Sequence, residues 1–243
     1  MMQSKTREVK ELFDKPHLYL HKDFSVRARA ILCKELLGHV ENTHILDIGA
    51  GDGSISLQFL SDTTFITMVD LSANMLHIAR FNTPEKFKGN VEHRNMNILD
   101  CEFSACFEIA LCIGVLAHVD SVEATVATIS KALRPGGRCV LQITDYDQLL
   151  GRLLFAYGKV RRYVVPNSLP PYLMNRMTFS QVVSIAAGVN LKFITNRQYS
   201  LLLPGMGTLP NQWLLKYELA TSQSRLLSRF GSERMLLLVK TAA

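Results

Sequence analysis

Short apolar runs alternate with amphipathic segments along most of the chain. Strand-like runs occupy residues 44–48, 65–69, 91–94, 107–112, 138–143 and 235–240. Helical spacing marks residues 54–60, 73–81 and 121–133, and the last keeps its apolar positions on one face. This alternation predicts an α/β fold of right-handed βαβ units, in which a parallel sheet has helices on both faces.

The residues that begin and end the predicted helices agree with that fold. We expect a single domain over residues 1–243. Ser72 is placed to cap the helix at 73–81, and Pro135 with two glycines ends the helix at 121–133. We divide the domain into an N-terminal helical cap (1–40), a core (44–143), an irregular segment (145–176) and a C-terminal part of the sheet (177–243) with an insertion at 203–231. The irregular segment contains three prolines and interrupts the alternation.

Composition narrows the class of protein. A hydrophobic fraction of 48% and a charged fraction of 20% are ordinary for a folded enzyme. We find neither an apolar run long enough to span a bilayer nor a secretion signal, and we expect a cytoplasmic protein. The five cysteines form no C-x-x-C pair, which predicts free thiols and gives no metal-binding pattern. The net charge of +6 comes from scattered basic residues, which argues against a nucleic-acid groove.

The first apolar run delivers the chain into a glycine turn. The stretch LDIGAGDG at 46–53 reads G-x-G-x-G, whereas a dinucleotide fingerprint reads G-x-G-x-x-G. Asp47 precedes the turn, and a carboxylate there suits a cationic group better than a diphosphate. Asp70 closes the second run, where a ribose would present its two hydroxyls. The pattern favours a cofactor with ribose and adenine but without phosphate.

Three segments together resemble the class I S-adenosylmethionine-dependent methyltransferases. They are LDIGAGDG at 46–53, VDLSANML at 69–76 and RPGG at 134–137, and the similarity extends over roughly residues 10–240. The resemblance implies an α/β fold that is doubly wound and Rossmann-like, with a seven-stranded, mostly parallel sheet, helices on both faces and a helical lid. The cofactor that the resemblance implies is S-adenosyl-L-methionine. It also implies that the turn lines the methionine moiety and ribose through Gly49 and Gly51, and that Asp70 accepts hydrogen bonds from the ribose hydroxyls.

The resemblance assigns further cofactor contacts. Leu71 would pack on one face of the adenine, with Asn97 and Ile98 opposite; asparagine replaces the family's usual aspartate, so its bond to the adenine amino group would be uncharged. Ile113 and Gly114 match the segment under the sulfonium. The family's N-terminal helix often brings an aromatic residue near the cofactor carboxylate, which would be Tyr19. Asp47 either meets the cofactor amino group or braces the turn.

His118 is the best candidate for a general base, because it follows the fourth strand at the mouth of the cleft. In the family a histidine at this position often only shapes the loop or touches the cofactor, and that interpretation fits nearly as well. His17 and His21 are weaker alternatives. Asp145 and Tyr146, after the fifth strand, are expected either to contact the substrate or to cap local structure.

The segment 145–176 is interpreted as a lid over the acceptor. Its apolar stripe consists of Leu149, Leu150, Leu153, Leu154 and Tyr157, with basic residues largely off the stripe. Such a helix fits core burial, a hydrophobic acceptor, a peripheral membrane contact or a second subunit.

We expect methyl transfer to an oxygen or nitrogen of a small, fairly apolar metabolite, such as a natural product or a sugar-like or lipid-like acceptor. The protein would be a monomer or homodimer. The alternatives are an RNA methyltransferase or a catalytically silent cofactor-binding partner subunit. No N-P-P-Y or D-P-P-Y run follows the fourth strand, as amino methylation of DNA bases would require.

Overall fold

A computed structural model describes residues 2–14, 23–145, 174–202 and 206–242. Seven strands form one sheet: β1 (Thr43–Ile48), β2 (Thr64–Asp70), β3 (Val91–Asn95), β4 (Phe107–Cys112), β5 (Leu133–Thr144), β6 (Leu191–Tyr199) and β7 (Glu233–Lys240). Six α-helices are described: α1 (Met2–Phe13), α2 (Asp23–Leu37), α3 (Ala73–Asn82), α4 (Val122–Ala132), α5 (Phe179–Gly188) and α6 (Asn211–Gln223).

The strand order is β3-β2-β1-β4-β5-β7-β6, and β7 runs antiparallel to both of its neighbours. The chain moves outward from β1 to β3 and then returns to the other side of β1 with β4. The order therefore reverses between β1 and β4. In open α/β sheets, ligands bind in the crevice at the carboxyl ends of the strands at this kind of reversal.

Two hydrophobic layers flank the sheet because successive strand residues point to opposite faces. In β1, Leu46 and Ile48 pack in the layer that includes residues of α4 and α5. Ile45 faces the other layer, which includes residues of α2 and α3. All three side chains are almost fully buried, as expected for central parallel strands covered on both faces.

The structure confirms the Rossmann-like sheet and the predicted helix boundaries near α3 and α4. Ser72 accepts a hydrogen bond from the Met75 amide at 3.2 Å and caps α3 as predicted. The prediction of a helix at 54–60 was too regular. That segment contains only a 3₁₀ turn, Ser56–Phe59, whose bonds run to the third residue back, as from the Leu60 amide to the Leu57 carbonyl.

The edge strand β6 was not recognised from the sequence. Its sequence, LKFITNRQY, is largely polar, and most of its residues are only partly buried. Pairing with β7 makes it a strand, which local pattern alone does not indicate. Most of the predicted lid, at 146–173, lies outside the described residues.

Within the described part of the chain, no helix is long and apolar enough to cross a membrane. The five cysteines are free, and four of them are buried: Cys33, Cys101, Cys112 and Cys139.

Candidate functional site

The glycine turn after β1 lies against β2 and the loop after β4. The Gly49 amide donates to the Val69 carbonyl at 2.8 Å, and Gly49 has a φ of +65°. A Cβ at Gly49 would lie 2.3 Å from Cγ2 of Val115. Glycine is therefore required at this position for both its backbone angle and its contact with the neighbouring loop.

Asp70 joins the turn to the start of α3. Its Oδ2 accepts from the Gly51 amide and its Oδ1 from the Ser72 amide, both at 2.8 Å. Burial raises the pKa of the Asp70 carboxyl, and the bonds from these amides oppose that rise. Each carboxylate oxygen can accept a second bond, so Asp70 fixes the turn and can still bind a ligand's hydroxyls.

A mostly apolar cavity of about 220 Å³ opens at these strand ends. It brings together nine of the residues predicted from the sequence: Gly49, Gly51, Asp70, Leu71, Asn97, Ile98, Ile113, Gly114 and His118. The sequence did not indicate several other lining residues, among them Thr6, Val9 and Phe13 of α1. An N-terminal helical cap was expected over residues 1–40, but no pattern of spacing identified these α1 side chains as part of the cavity wall.

Asn97 has a structural partner that the sequence did not predict. Its Oδ1 accepts from the Leu99 amide at 3.0 Å and caps the 3₁₀ turn Ile98–Asp100. The amide oxygen expected to meet the adenine amino group therefore already holds one bond. It retains one further acceptor site, and the Asn97 side chain still lines the cavity.

Asp47 lies beneath the turn rather than in the cavity wall. Its side chain is buried, and it is not among the described lining residues. Burial raises the pKa of the Asp47 carboxyl to about 7, with Asp70 and Asp52 adding to the rise and the nearby Ser56 hydroxyl opposing it. This placement favours the interpretation that Asp47 braces the turn over direct contact with a cofactor.

His118 lines the cavity and packs against α1. The rings of His118 and Phe13 meet edge to face, with centroids 5.3 Å apart. Burial, together with the nearby Lys5 ammonium, lowers the pKa of His118 to about 4. The imidazole is therefore neutral near pH 7, so it is in the form that accepts a proton, although its basicity is weak.

The loop that carries His118 is held from two distant parts of the chain. Asn175 donates through Nδ2 to the Leu116 carbonyl at 2.9 Å and to the Val119 carbonyl at 2.7 Å. Lys5 of α1 donates to Asn175 Oδ1 and to the Val119 carbonyl, both at 2.9 Å. Neither residue was identified from the sequence, because both lie far from the loop along the chain.

The end of α1 is attached to the start of α3. Ser72 Oγ donates to Asp14 Oδ1 at 2.5 Å, and Asn74 Nδ2 donates to the Asp14 carbonyl at 3.1 Å. These bonds place the end of α1 beside Asp70. The end of α1 is therefore held next to the cavity through residue 14.

Arg29 of α2 is the one Lys or Arg side chain among the described lining residues. Its Nη1 lies 3.7 Å from the position that a Cβ at Gly114 would take. The cavity therefore has a guanidinium near Gly114 and a carboxylate near Gly51. No local pattern in the sequence identifies this arginine, which is separated from β1 by more than two turns of α2 and a loop.

Asp145 does not line the cavity. Its carboxylate is almost fully buried and pairs with Arg234 at 2.8 Å. This placement favours a structural role for Asp145 over a contact with the substrate. Tyr19, Tyr146, His17 and His21 lie outside the described residues.

Comparison with known proteins agrees with this geometry. Residues 45–137 match a family model described as a methyltransferase domain. Over this region the chain is similar to methyltransferase domains, in agreement with the motifs that resemble the class I S-adenosylmethionine-dependent methyltransferases. The matched region begins in β1 and ends in the bulged start of β5, so it contains the glycine turn, Asp70, Asn97 and the loop after β4.

Curated relatives share part of their length with the chain. A demethylmenaquinone methyltransferase of Tropheryma whipplei is 28% identical over 159 residues, covering 65% of this chain and 64% of the relative. A ubiquinone biosynthesis O-methyltransferase of Idiomarina loihiensis is 31% identical over 154 residues, covering 55% of this chain and 63% of the relative. The chain thus matches less than two thirds of either relative.

The fold is shared over almost the entire chain with a solved structure. Magnesium protoporphyrin IX methyltransferase from Synechocystis, with bound S-adenosylhomocysteine, superposes with a TM-score of 0.64 at 13% identity. The comparison covers 98% of this chain and 100% of that one. At this level of identity the likeness is one of fold.

Proposed function

We propose that this methyltransferase transfers the methyl group of S-adenosylmethionine to an oxygen or nitrogen of a small, fairly apolar metabolite. The observation that carries the proposal is the cavity at the carboxyl ends of β1, β2 and β4. Its walls are mostly apolar, and Arg29, Asp70 and Asp120 are the Lys, Arg, Asp or Glu side chains among its described lining residues. Apolar walls with a few directed polar groups are typical of small-molecule sites.

The residues present fit the cofactor. Asp70 would accept bonds from the ribose hydroxyls while the amides of Gly51 and Ser72 hold it in place. The Arg29 guanidinium would pair with the carboxylate of the methionine moiety, because Arg29 is the one Lys or Arg among the described residues that line the cavity. Leu71 and Ile98 would contact the adenine.

The cofactor, when bound, supplies an activated methyl group on its sulfonium. The protein then has to align the acceptor and exclude water. Phe13 and Val9 of α1 cover the cavity and would exclude water from it. His118, neutral near pH 7, would accept the proton from an acceptor hydroxyl or ammonium group.

The acceptor class is supported by the relatives' names and by the cavity. Both curated relatives named above take their names from quinone biosynthesis. We infer an aromatic or quinone-like acceptor with a hydroxyl or amine as the methylated group. The apolar cavity walls suit such a ring better than a charged or sugar-rich acceptor.

Labelled transfer to a defined acceptor series tests this proposal. The protein is incubated with methyl-labelled S-adenosylmethionine and a hydroxylated aromatic ring with an apolar tail, the same ring without the tail, an aliphatic amine, or RNA. We expect transfer to the aromatic acceptors, with a lower KM for the tailed one. Transfer to RNA alone would contradict the proposal, and tight cofactor binding without any transfer would indicate a silent binding subunit.

A further inference from the structure

A cluster of exposed apolar side chains follows α6, in the segment 225–230. Leu226 is 65% exposed, Leu227 42% and Phe230 44%. Arg225 and Arg229, in the same six residues, are also exposed. Single exposed apolar residues are common on protein surfaces, but three of them within five positions form a patch that calls for an explanation.

The backbone of the segment 225–230 is fixed to the sheet. Leu227–Phe230 forms a 3₁₀ turn, which places Leu227 and Phe230 on the same side because the turn repeats every three residues. Gln198 of β6 donates to the carbonyls of Arg229 at 3.2 Å and Gly231 at 2.8 Å. A Cβ at Gly231 would lie 2.2 Å from the Tyr199 carbonyl oxygen, so this backbone packs directly on β6. The apolar side chains are thus presented by a well-anchored turn.

The surface around the segment is basic. A groove beside it is lined by Arg197, Arg225 and Arg229, and Glu35 is the acidic residue among its described lining residues. Three arginines and one glutamate among these described residues give the groove a net positive charge. The whole chain has the same sign of charge, at +6.

The segment lies at the carboxyl-terminal end of the parallel strands, which is also the end where the cofactor cavity opens. It ends three residues before Glu233, the first residue of β7. Glu233 pairs with Thr144 at the carboxyl end of β5 and with Tyr199 at the end of β6. A surface that contacts the segment therefore also approaches the end of the sheet where an acceptor would enter.

We propose that the segment 225–230 is a docking site for the surface of an anionic phospholipid bilayer. Leu226, Leu227 and Phe230 enter the interfacial region, while Arg225 and Arg229 contact lipid phosphates. Interleaved cations and large apolar side chains are the combination that binds such surfaces. This docking is independent of methyl transfer and needs no bound cofactor.

A second copy of the chain fits the same patch less well. A two-fold dimer places the same surface on both sides of the interface. It would therefore bring Arg225 and Arg229 of one protomer against the arginines of its partner, and like charges at close range oppose association. A bilayer containing anionic lipid supplies the opposite charge over the whole patch.

Sedimentation with vesicles tests the docking site, using the full chain without cofactor. Vesicles of phosphatidylcholine alone are compared with vesicles that also contain phosphatidylserine. We expect binding to the anionic vesicles, weakened by salt. R225Q/R229Q should lower the partition coefficient about 25-fold, since each arginine near such a surface contributes about fivefold. L226S/F230S should lower it more than tenfold as the apolar contribution is lost.

A matched control uses Arg80 and Phe81 of α3, near the opposite edge of the sheet, where Phe81 is 88% exposed. R80Q/F81S removes one cation and one exposed apolar side chain, and we expect unchanged vesicle binding. Thermal unfolding of each variant verifies that the fold is retained. Equal binding of the unaltered chain to both vesicle types, or an equal loss in the control variant, would overturn the proposal. So would a dimer in light scattering that L226S/F230S converts to a monomer while vesicle binding is absent.

Discussion

Replacement of Asp70 by asparagine is the most informative single change at the cofactor site. The variant keeps the size of the side chain but removes its charge and replaces one acceptor oxygen with an NH₂ donor. A hydrogen bond to a charged group contributes about 1.5–3 kcal/mol, against about 0.5–1.5 kcal/mol for a neutral one. With two ribose hydroxyls bound by Asp70, the loss is about 2–3 kcal/mol, which corresponds to a roughly 30- to 150-fold weaker affinity for the cofactor.

The same change also disturbs the turn. Both Asp70 oxygens accept from main-chain amides, so the new NH₂ group must face the N–H of Gly51 or of Ser72. A donor left without its acceptor costs about 1–3 kcal/mol of stability. We therefore expect a lower free energy of unfolding in urea, together with weaker cofactor binding.

Isothermal titration with S-adenosylmethionine and S-adenosylhomocysteine measures the affinity. Asp52→Asn is the matched control, since Asp52 lies in the same turn and accepts from the Ser54 amide at 3.1 Å but does not line the cavity. Its affinity should stay within about threefold of the unaltered protein. An Asp70→Asn affinity within that same threefold would show that Asp70 does not bind the ribose.

Three further predictions concern stability. Folding lowers the pKa of His118 from 6.5 to about 4, so the unfolded chain binds more protons than the folded chain between these pH values. The stability that the neutral His118 contributes is therefore complete above pH 6.5 and is lost as the pH falls towards 4. His118→Gln should make the fall in Tm over that range smaller. Folding raises the pKa of Asp47 from 3.8 to about 7, so stability falls as the pH rises between these values. Asp47→Asn should remove that fall and give a higher Tm than the unaltered protein above pH 7. A difference in Tm between the two proteins that does not change with pH would contradict the raised pKa of Asp47. Gly49→Ala combines a positive φ with a clash against Val115 and should lower the free energy of unfolding in urea by about 2–5 kcal/mol. Gly136→Ala, at a φ of +79° with nothing within 4 Å of the new Cβ, should lower it by only about 1–2 kcal/mol. Equal losses in the two variants would contradict the clash.

The parts of the site that the sequence predicted are those built from local pattern. Gly49, Gly51 and Asp70 belong to two strand-to-turn junctions, and buried parallel strands have continuous apolar runs that make such junctions recognisable. The fold follows from the same runs, because strand and helix alternation leaves few topologies to consider.

The remaining features depend on contacts between distant segments. Arg29 reaches the cavity from α2, and Lys5 and Asn175 hold the loop after β4 from opposite parts of the chain. No spacing rule connects these residues to the glycine turn. The sequence likewise could not place Asp47. It shows a carboxylate directly before the glycine turn, but whether this carboxylate faces a ligand depends on the direction of the side chain from β1.

The most direct test of the account is a mass balance for the methyl group. The protein is incubated with deuterated-methyl S-adenosylmethionine and a metabolite extract, and the products are followed by mass spectrometry. The account predicts that S-adenosylhomocysteine and a labelled small apolar product appear in equal amounts, and that Asp70→Asn lowers both together. Recovery of the cofactor unchanged, or label only in RNA or protein, would contradict it.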